Sequence, residues 1–73
     1  MRGYRYQTRR GPIYIVARDG RWQLVFEGES LGSYHSPRAA ADDAAGGHTF
    51  TPSSGIDLAT LGIPDGINEW EVY

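Results

Sequence analysis

The chain contains no cysteine and no lysine, and beyond Arg38 it contains no basic residue of any kind. The first absence excludes a disulfide framework and a cysteine zinc site, and fits a reducing, cytoplasmic compartment. The second leaves arginine as the only basic residue, which the codon bias of a GC-rich genome explains without any appeal to recognition. Long apolar runs are missing too. None approaches the roughly 20 residues that span a bilayer, and Met1-Arg2-Gly3-Tyr4 leads into no signal-peptide apolar region. A soluble, unprocessed chain with no membrane contact is expected.

Seventy-three residues make one domain, near the size at which a single core is marginal. A hydrophobic fraction of 40%, with 12% aromatic residues, is enough for a small core and too high for a disordered chain. The net charge of -2 conceals an asymmetry. Arg2, Arg5, Arg9, Arg10, Arg18, Arg21 and Arg38 all precede Asp42, Asp43, Asp57, Asp65, Glu69 and Glu71, so the second half is wholly acidic. Such a division points to internal pairing or to a charged partner.

The centre of the chain carries the clearest pattern. Ile13 to Arg18 and Arg21 to Glu27 are β-branched and aromatic runs joined by Asp19-Gly20, the dipeptide a type I′ turn prefers because both its central residues need positive φ. A two-residue turn sets Arg18 opposite Arg21, Ala17 opposite Trp22, Ile15 opposite Leu24 and Ile13 opposite Phe26. One face then carries Ile13, Ile15, Ala17, Trp22, Leu24 and Phe26, a continuous core; the other carries Tyr14, Val16, Arg18, Arg21, Gln23 and Val25. A second tight turn at Gly28-Glu29 returns a third strand, with Leu31 beside Phe26 on the core face and Tyr34 beside Gln23 on the mixed face.

Ser36-Pro37 opens a helix in which serine caps and proline occupies the first turn, where its missing N–H costs nothing. The helix reads Arg38 to Ala45 and ends at Gly46-Gly47. Its alanines at Ala40 and Ala44, with Ala41 and Ala45, form a smooth stripe able to approach the sheet closely. Residues 1–11 are basic and glycine-flanked, with Tyr4 and Tyr6 in alternation, and read either as an extra strand or as a flexible arm. Residues 48–73 are rich in turn signals, yet Ile56, Leu58, Leu61, Ile63, Ile67 and Trp70 are too apolar for a free tail. They are expected to cover the mixed face or a sheet edge.

No catalytic or cofactor signature is present. His35, His48, Asp42 and Asp43 match no zinc spacing, and no strand-turn-helix elbow surrounds Ser33, Ser53 or Ser54. Gly46-Gly47 follows a helix rather than opening one, so it is no phosphate loop. The most suggestive feature is the cross-strand pair Arg18 and Arg21, because like charges opposite one another are destabilising unless an anion lies between them. With Tyr14, Gln23 and Tyr34 nearby, and Arg5, Arg9 and Arg10 as arm contacts, this makes a phosphate-contacting face. Arginines flanking an exposed turn and pairing with Asp19, Glu69 or Glu71 make the plainer alternative.

Gly20-Arg21-Trp22, the Leu24-x-Phe26 alternation, Leu31-Gly32-x-Tyr34 and the Ala39 to Ala45 helix resemble the three strands and helix of AP2-type DNA-binding domains. The resemblance covers residues 13–45 and implies a sheet that enters the major groove, with Arg18, Arg21 and Gln23 as base or phosphate readers. The chain departs from that family in its acidic net charge, in the absence of further basic residues on the strands, and in its apolar acidic tail. Taken whole, with Leu61-Gly62-Ile63-Pro64 and Glu69-Trp70-Glu71, it resembles small uncharacterised proteins of GC-rich proteobacteria, which implies no activity.

The expected fold is therefore α+β: a three-stranded antiparallel sheet with one helix on one face and an irregular C-terminal segment. The expected function is a non-catalytic protein-interaction module that binds an unidentified protein partner or self-associates, with no metal or cofactor. A nucleic-acid-binding domain using the arginine-bearing face is the alternative.

Overall fold

The computed structural model describes residues 3–73; Met1 and Arg2, the first two residues of the expected arm, lie outside the described residues. The fold is α+β, with an antiparallel sheet and one helix. The strands are β1 (Gly3–Thr8), β2 (Gly11–Arg18), β3 (Arg21–Phe26), β4 (Glu29–Tyr34) and β5 (Glu71–Val72), and the helix is α1 (Pro37–Gly46). Single 3-10 turns at Leu58–Thr60 and Ile67–Glu69 lie between α1 and β5. The sheet has five strands rather than three, in the order β4-β3-β2-β1-β5.

The two added strands come from the ends of the chain. The N-terminal segment is an interior strand and no arm: β1 pairs along its length with β2, placing Tyr4 opposite Ile15 and Tyr6 opposite Ile13. Thr8 closes the β1–β2 turn, its hydroxyl donating to the Gly11 carbonyl at 2.6 Å and accepting from the Arg10 N–H at 3.1 Å. β5 lies along the other edge of β1, setting Tyr4 opposite Val72 and Arg5 opposite Glu71.

The Asp19-Gly20 hairpin has the expected register, from Arg18 opposite Arg21 to Ile13 opposite Phe26, with φ of 52° and 78° at the turn. The next hairpin turns one residue earlier than expected, on Glu27 and Gly28, whose φ values of 55° and 77° repeat the first turn. Glu27 holds this uncommon conformation while its carboxylate accepts from the Ser54 hydroxyl at 2.9 Å. A bulge follows on β4. The register passes from Val25 opposite Ser30 to Leu24 opposite Gly32, leaving Leu31 as the extra residue. Leu31 still reaches the core and is 2% exposed. Tyr34, however, lies opposite Trp22 instead of beside Gln23, so it belongs to the helix side of the sheet.

Ser36 caps α1 by accepting from the Ala39 N–H at 3.2 Å, Pro37 begins it, and Gly47 at φ 72° ends it. Ala40, Ala41 and Ala44 are fully buried, and the small stripe brings the helix against β2, β3 and β4. The apolar tail residues up to Trp70 do not cover the mixed face; beyond them the chain ends as β5 on a sheet edge, with Tyr73 reaching Tyr14. Leu58, Leu61, Ile63 and Trp70 join Ile13, Ile15, Leu24 and Phe26 in a single core on the helix side. The alanine stripe alone has too little volume to cover four strands, and the tail supplies the missing bulk beside it. Trp70 is anchored there by its indole N–H, which donates to the Pro64 carbonyl at 3.0 Å. Phe26, Ile13, Ile15, Leu24 and Leu58 are the largest wholly buried side chains, each contributing about 1.5–3 kcal/mol of hydrophobic stabilisation.

Helix and tail are locked together at Gly47. A Cβ built there lies 2.6 Å from Asp57 Oδ1 and 2.9 Å from Ala59 Cβ, whereas one built on Gly20 at φ 78° meets nothing within 4 Å. Gly20→Ala should therefore cost about 1–2 kcal/mol from its left-handed backbone alone, and Gly47→Ala distinctly more. Urea unfolding of the two variants compares them directly. Equal losses would show that the helix terminus does not sit against the Leu58–Thr60 turn.

Candidate binding face

With helix and tail on one side, the other side of the sheet is left open. The strand registers place Arg5 and Gln7 of β1, Tyr14, Val16 and Arg18 of β2, Arg21, Gln23 and Val25 of β3, and Ser30 and Ser33 of β4 on this face. Tyr14, Val16, Gln23 and Val25 at its middle are half-buried by their neighbours, and the arginines and serines around them are exposed.

Polar contacts order this surface. Arg21 leans across to β4, donating from Nε to Ser33 Oγ at 2.7 Å and from Nη2 to the Ser33 carbonyl at 3.0 Å. The contact draws its charge away from Arg18, which is how the hairpin tolerates two guanidinium groups facing each other. The Gln23 carboxamide oxygen accepts from Ser30 Oγ at 3.0 Å, leaving its NH2 group as a donor. At the far edge Arg5 forms a salt bridge with Glu71, donating from Nε at 3.0 Å and also from Nη2. The Glu71 carboxylate holds the Arg5 guanidinium even more firmly protonated than usual. Tyr73 lies over Gly3, whose missing Cβ leaves room for the ring, and meets Tyr14 edge-on at 5.9 Å between centroids.

The structure thus brings together Tyr14, Arg18, Arg21 and Gln23, and does not gather the rest of the expected set. Arg9 and Arg10 form the β1–β2 turn at the opposite end of β2 from Arg18, a separation of roughly 25 Å for an eight-residue strand. Tyr34 is on the helix side. Ser30 and Ser33, which sequence reasoning missed, are on the face in its place. Glu27-Gly28 carries the same acid-glycine signal as Asp19-Gly20 and marks the turn, but the bulge at Leu31 has no comparable signature. Neither Arg18 nor Arg21 pairs with Asp19, Glu69 or Glu71; among the described residues the one salt bridge is that of Arg5.

Charge is divided between the two sides. The open face carries Arg5, Arg18 and Arg21 against Glu71 alone, while α1 and the tail up to Trp70 carry Asp42, Asp43, Asp57, Asp65 and Glu69 against Arg38 alone. Among the described residues no three histidine, cysteine, aspartate or glutamate side chains converge as metal ligands, and no helix is long and apolar enough to cross a membrane. Every buried side-chain nitrogen or oxygen among the described residues has a hydrogen-bond partner. Comparisons with family models, with curated proteins and with solved structures return no match, so function has to be argued from the chain's own geometry.

Tyr34 supplies a titration that checks its place on the helix side. Burial, and next the Asp43 carboxylate, push its phenol up from 10.0 to about 12. The folded protein keeps a proton that the unfolded chain releases, so this contribution to stability is whole below pH 10 and is lost as pH rises toward about 12. In Tyr34→Phe the alkaline fall of the urea midpoint should be shallower than in the wild type. Identical slopes would place the phenol in water.

Proposed function

We propose that this chain is a non-catalytic binding module whose open sheet face takes an anionic polymer, a nucleic acid, through Arg18 and Arg21. The observation that carries this reading is the position of the acidic half of the chain. Its carboxylates up to Glu69 lie in the layer behind the sheet, and Glu71 is engaged by Arg5, so Arg18 and Arg21 keep their charge available. Arg18 and Arg21 occupy opposed positions on one hairpin, and a phosphate held by Arg18 together with the Arg21 N–H groups that Ser33 leaves free gains two charge-assisted contacts.

The neighbouring groups suit the same ligand. Ser33 Oγ and the Gln23 NH2 group are neutral donors of the kind that contact phosphates and base edges. Arg9 and Arg10, at the far end of β2, are placed for a second phosphate contact along an extended ligand. The acidic layer behind the sheet repels the same polymer, which fixes the side from which it approaches and keeps affinity modest.

An amide NMR titration with a short mixed-sequence duplex, at low and then raised salt, tests this. Shifts should centre on Arg18 to Gln23 and on Ser30 to Ser33, and should fade as salt rises. Replacing two phosphate contacts in Arg18→Ala/Arg21→Ala should reduce the slope of log affinity against log salt by about 1.8. No shifts with duplex or single strand, or a double variant that binds like the wild type, would remove the assignment.

A further inference from the structure

We infer that Glu71 and Tyr73 form a strap of this chain's own over a second subsite of the open face, where Arg5 takes a phosphate and Tyr14 a base of a single-stranded nucleic acid that displaces the strap. The inference rests on the sheet-face reading and names the part of that face which the free protein keeps closed. Arg5 lies directly opposite Tyr14, four residues along β2 from Arg18, a separation of roughly 13 Å. It therefore stands between the Arg18 and Arg21 pair at one end of β2 and Arg9 and Arg10 at the other. An extended polyanion that runs from one end to the other crosses Arg5 and Tyr14, and these are the two groups that the β5 end of the chain covers.

The cover has the chemistry of the ligand it excludes. Glu71 lies opposite Arg5 and accepts from its Nε at 3.0 Å and from its Nη2, the N–H groups that a phosphate would otherwise take. Two residues on, and so on the same face, Tyr73 sets its ring edge-on to Tyr14 with centroids 5.9 Å apart. An anion followed by a flat ring is what a nucleotide presents in its phosphate and its base. A single strand has bases free to leave their neighbours and stack on a tyrosine, whereas a duplex keeps them stacked inside. The cover is also loosely held. β5 has two residues, Val72 and Tyr73 are 56% and 51% exposed, and both side chains of the ion pair are exposed. Exposed pairs of this kind add little to stability, so a phosphate replaces Glu71 at small cost.

Binding of a short thymidine strand to the full chain, read by fluorescence anisotropy, tests this. Glu71→Gln should bind about two- to fivefold tighter than the wild type, the gain from an exposed ion pair that no longer has to be broken. In an Arg5→Ala background the same change should gain nothing, whereas a gain through net charge alone would persist there. Tyr73→Ala should also tighten binding, and more for the thymidine strand than for an abasic strand of equal length. On saturation of the wild type, the Gly3 and Tyr73 amides, each of which donates to the other's carbonyl, should lose protection from hydrogen exchange. Five results would each overturn the inference and leave the sheet-face reading standing: binding through Arg18 and Arg21 that Glu71→Gln does not change, a gain that survives Arg5→Ala, weaker binding by Tyr73→Ala, equal gains on the two strands, or Gly3 and Tyr73 amides that stay protected. No binding of any strand by the wild type or the variants would overturn both.

Discussion

Ile13 and Ile15, with Leu24 and Phe26 opposite them, have no exposed surface at all, and the need to cover these four side chains places every other element. A chain of this length has apolar residues enough for one core. The alanine helix can come close because it is thin, but for the same reason it leaves gaps, and Leu58, Leu61, Ile63 and Trp70 fill them. Once these residues are committed to that side, Tyr73 is the one aromatic of the tail left to reach the other, where it meets only Tyr14 and Gly3. The open face follows from the shortage of core-forming residues.

Local chemistry was legible wherever a residue type had only one comfortable conformation. Asp19-Gly20 identified its turn, Ser36-Pro37 and Gly46-Gly47 bounded the helix to within a residue or two, and the apolar tail announced that it must be buried. What depended on distant partners was not legible. Tyr4 and Tyr6 alternate as strand residues do, but alternation cannot say whether β2 or solvent lies alongside. β5 is too short to leave any pattern, and the bulge at Leu31 moved Tyr34 to the other face by a one-residue change of register. For the binding face, the Arg18 and Arg21 pair was visible from the hairpin alone, whereas their serine neighbours required the true register of β4.

The division of the chain into a basic first part and an acidic second part acquires a spatial meaning. Antiparallel pairing puts alternate residues on opposite faces, so Arg5, Arg18 and Arg21 share a side because of their parity with Tyr14 and Gln23. The acidic residues up to Glu69 come after the helix has crossed behind the sheet, and stay there. Two surfaces of opposite charge thus enclose a single core.

The contact between β1 and β5 joins residues at nearly opposite ends of the chain. Arg5 and Glu71 are 66 positions apart, and Gly3 and Tyr73 exchange backbone hydrogen bonds at 3.2 and 3.0 Å. The entropy of closing so long a loop is affordable only after the hairpins and helix have already drawn the intervening chain together. This seam is therefore the last to close as the protein folds and, with a two-residue strand and exposed side chains, the first to open. Its amides are expected to exchange with solvent through local fraying, and those of β2 and β3 only through unfolding of the whole molecule.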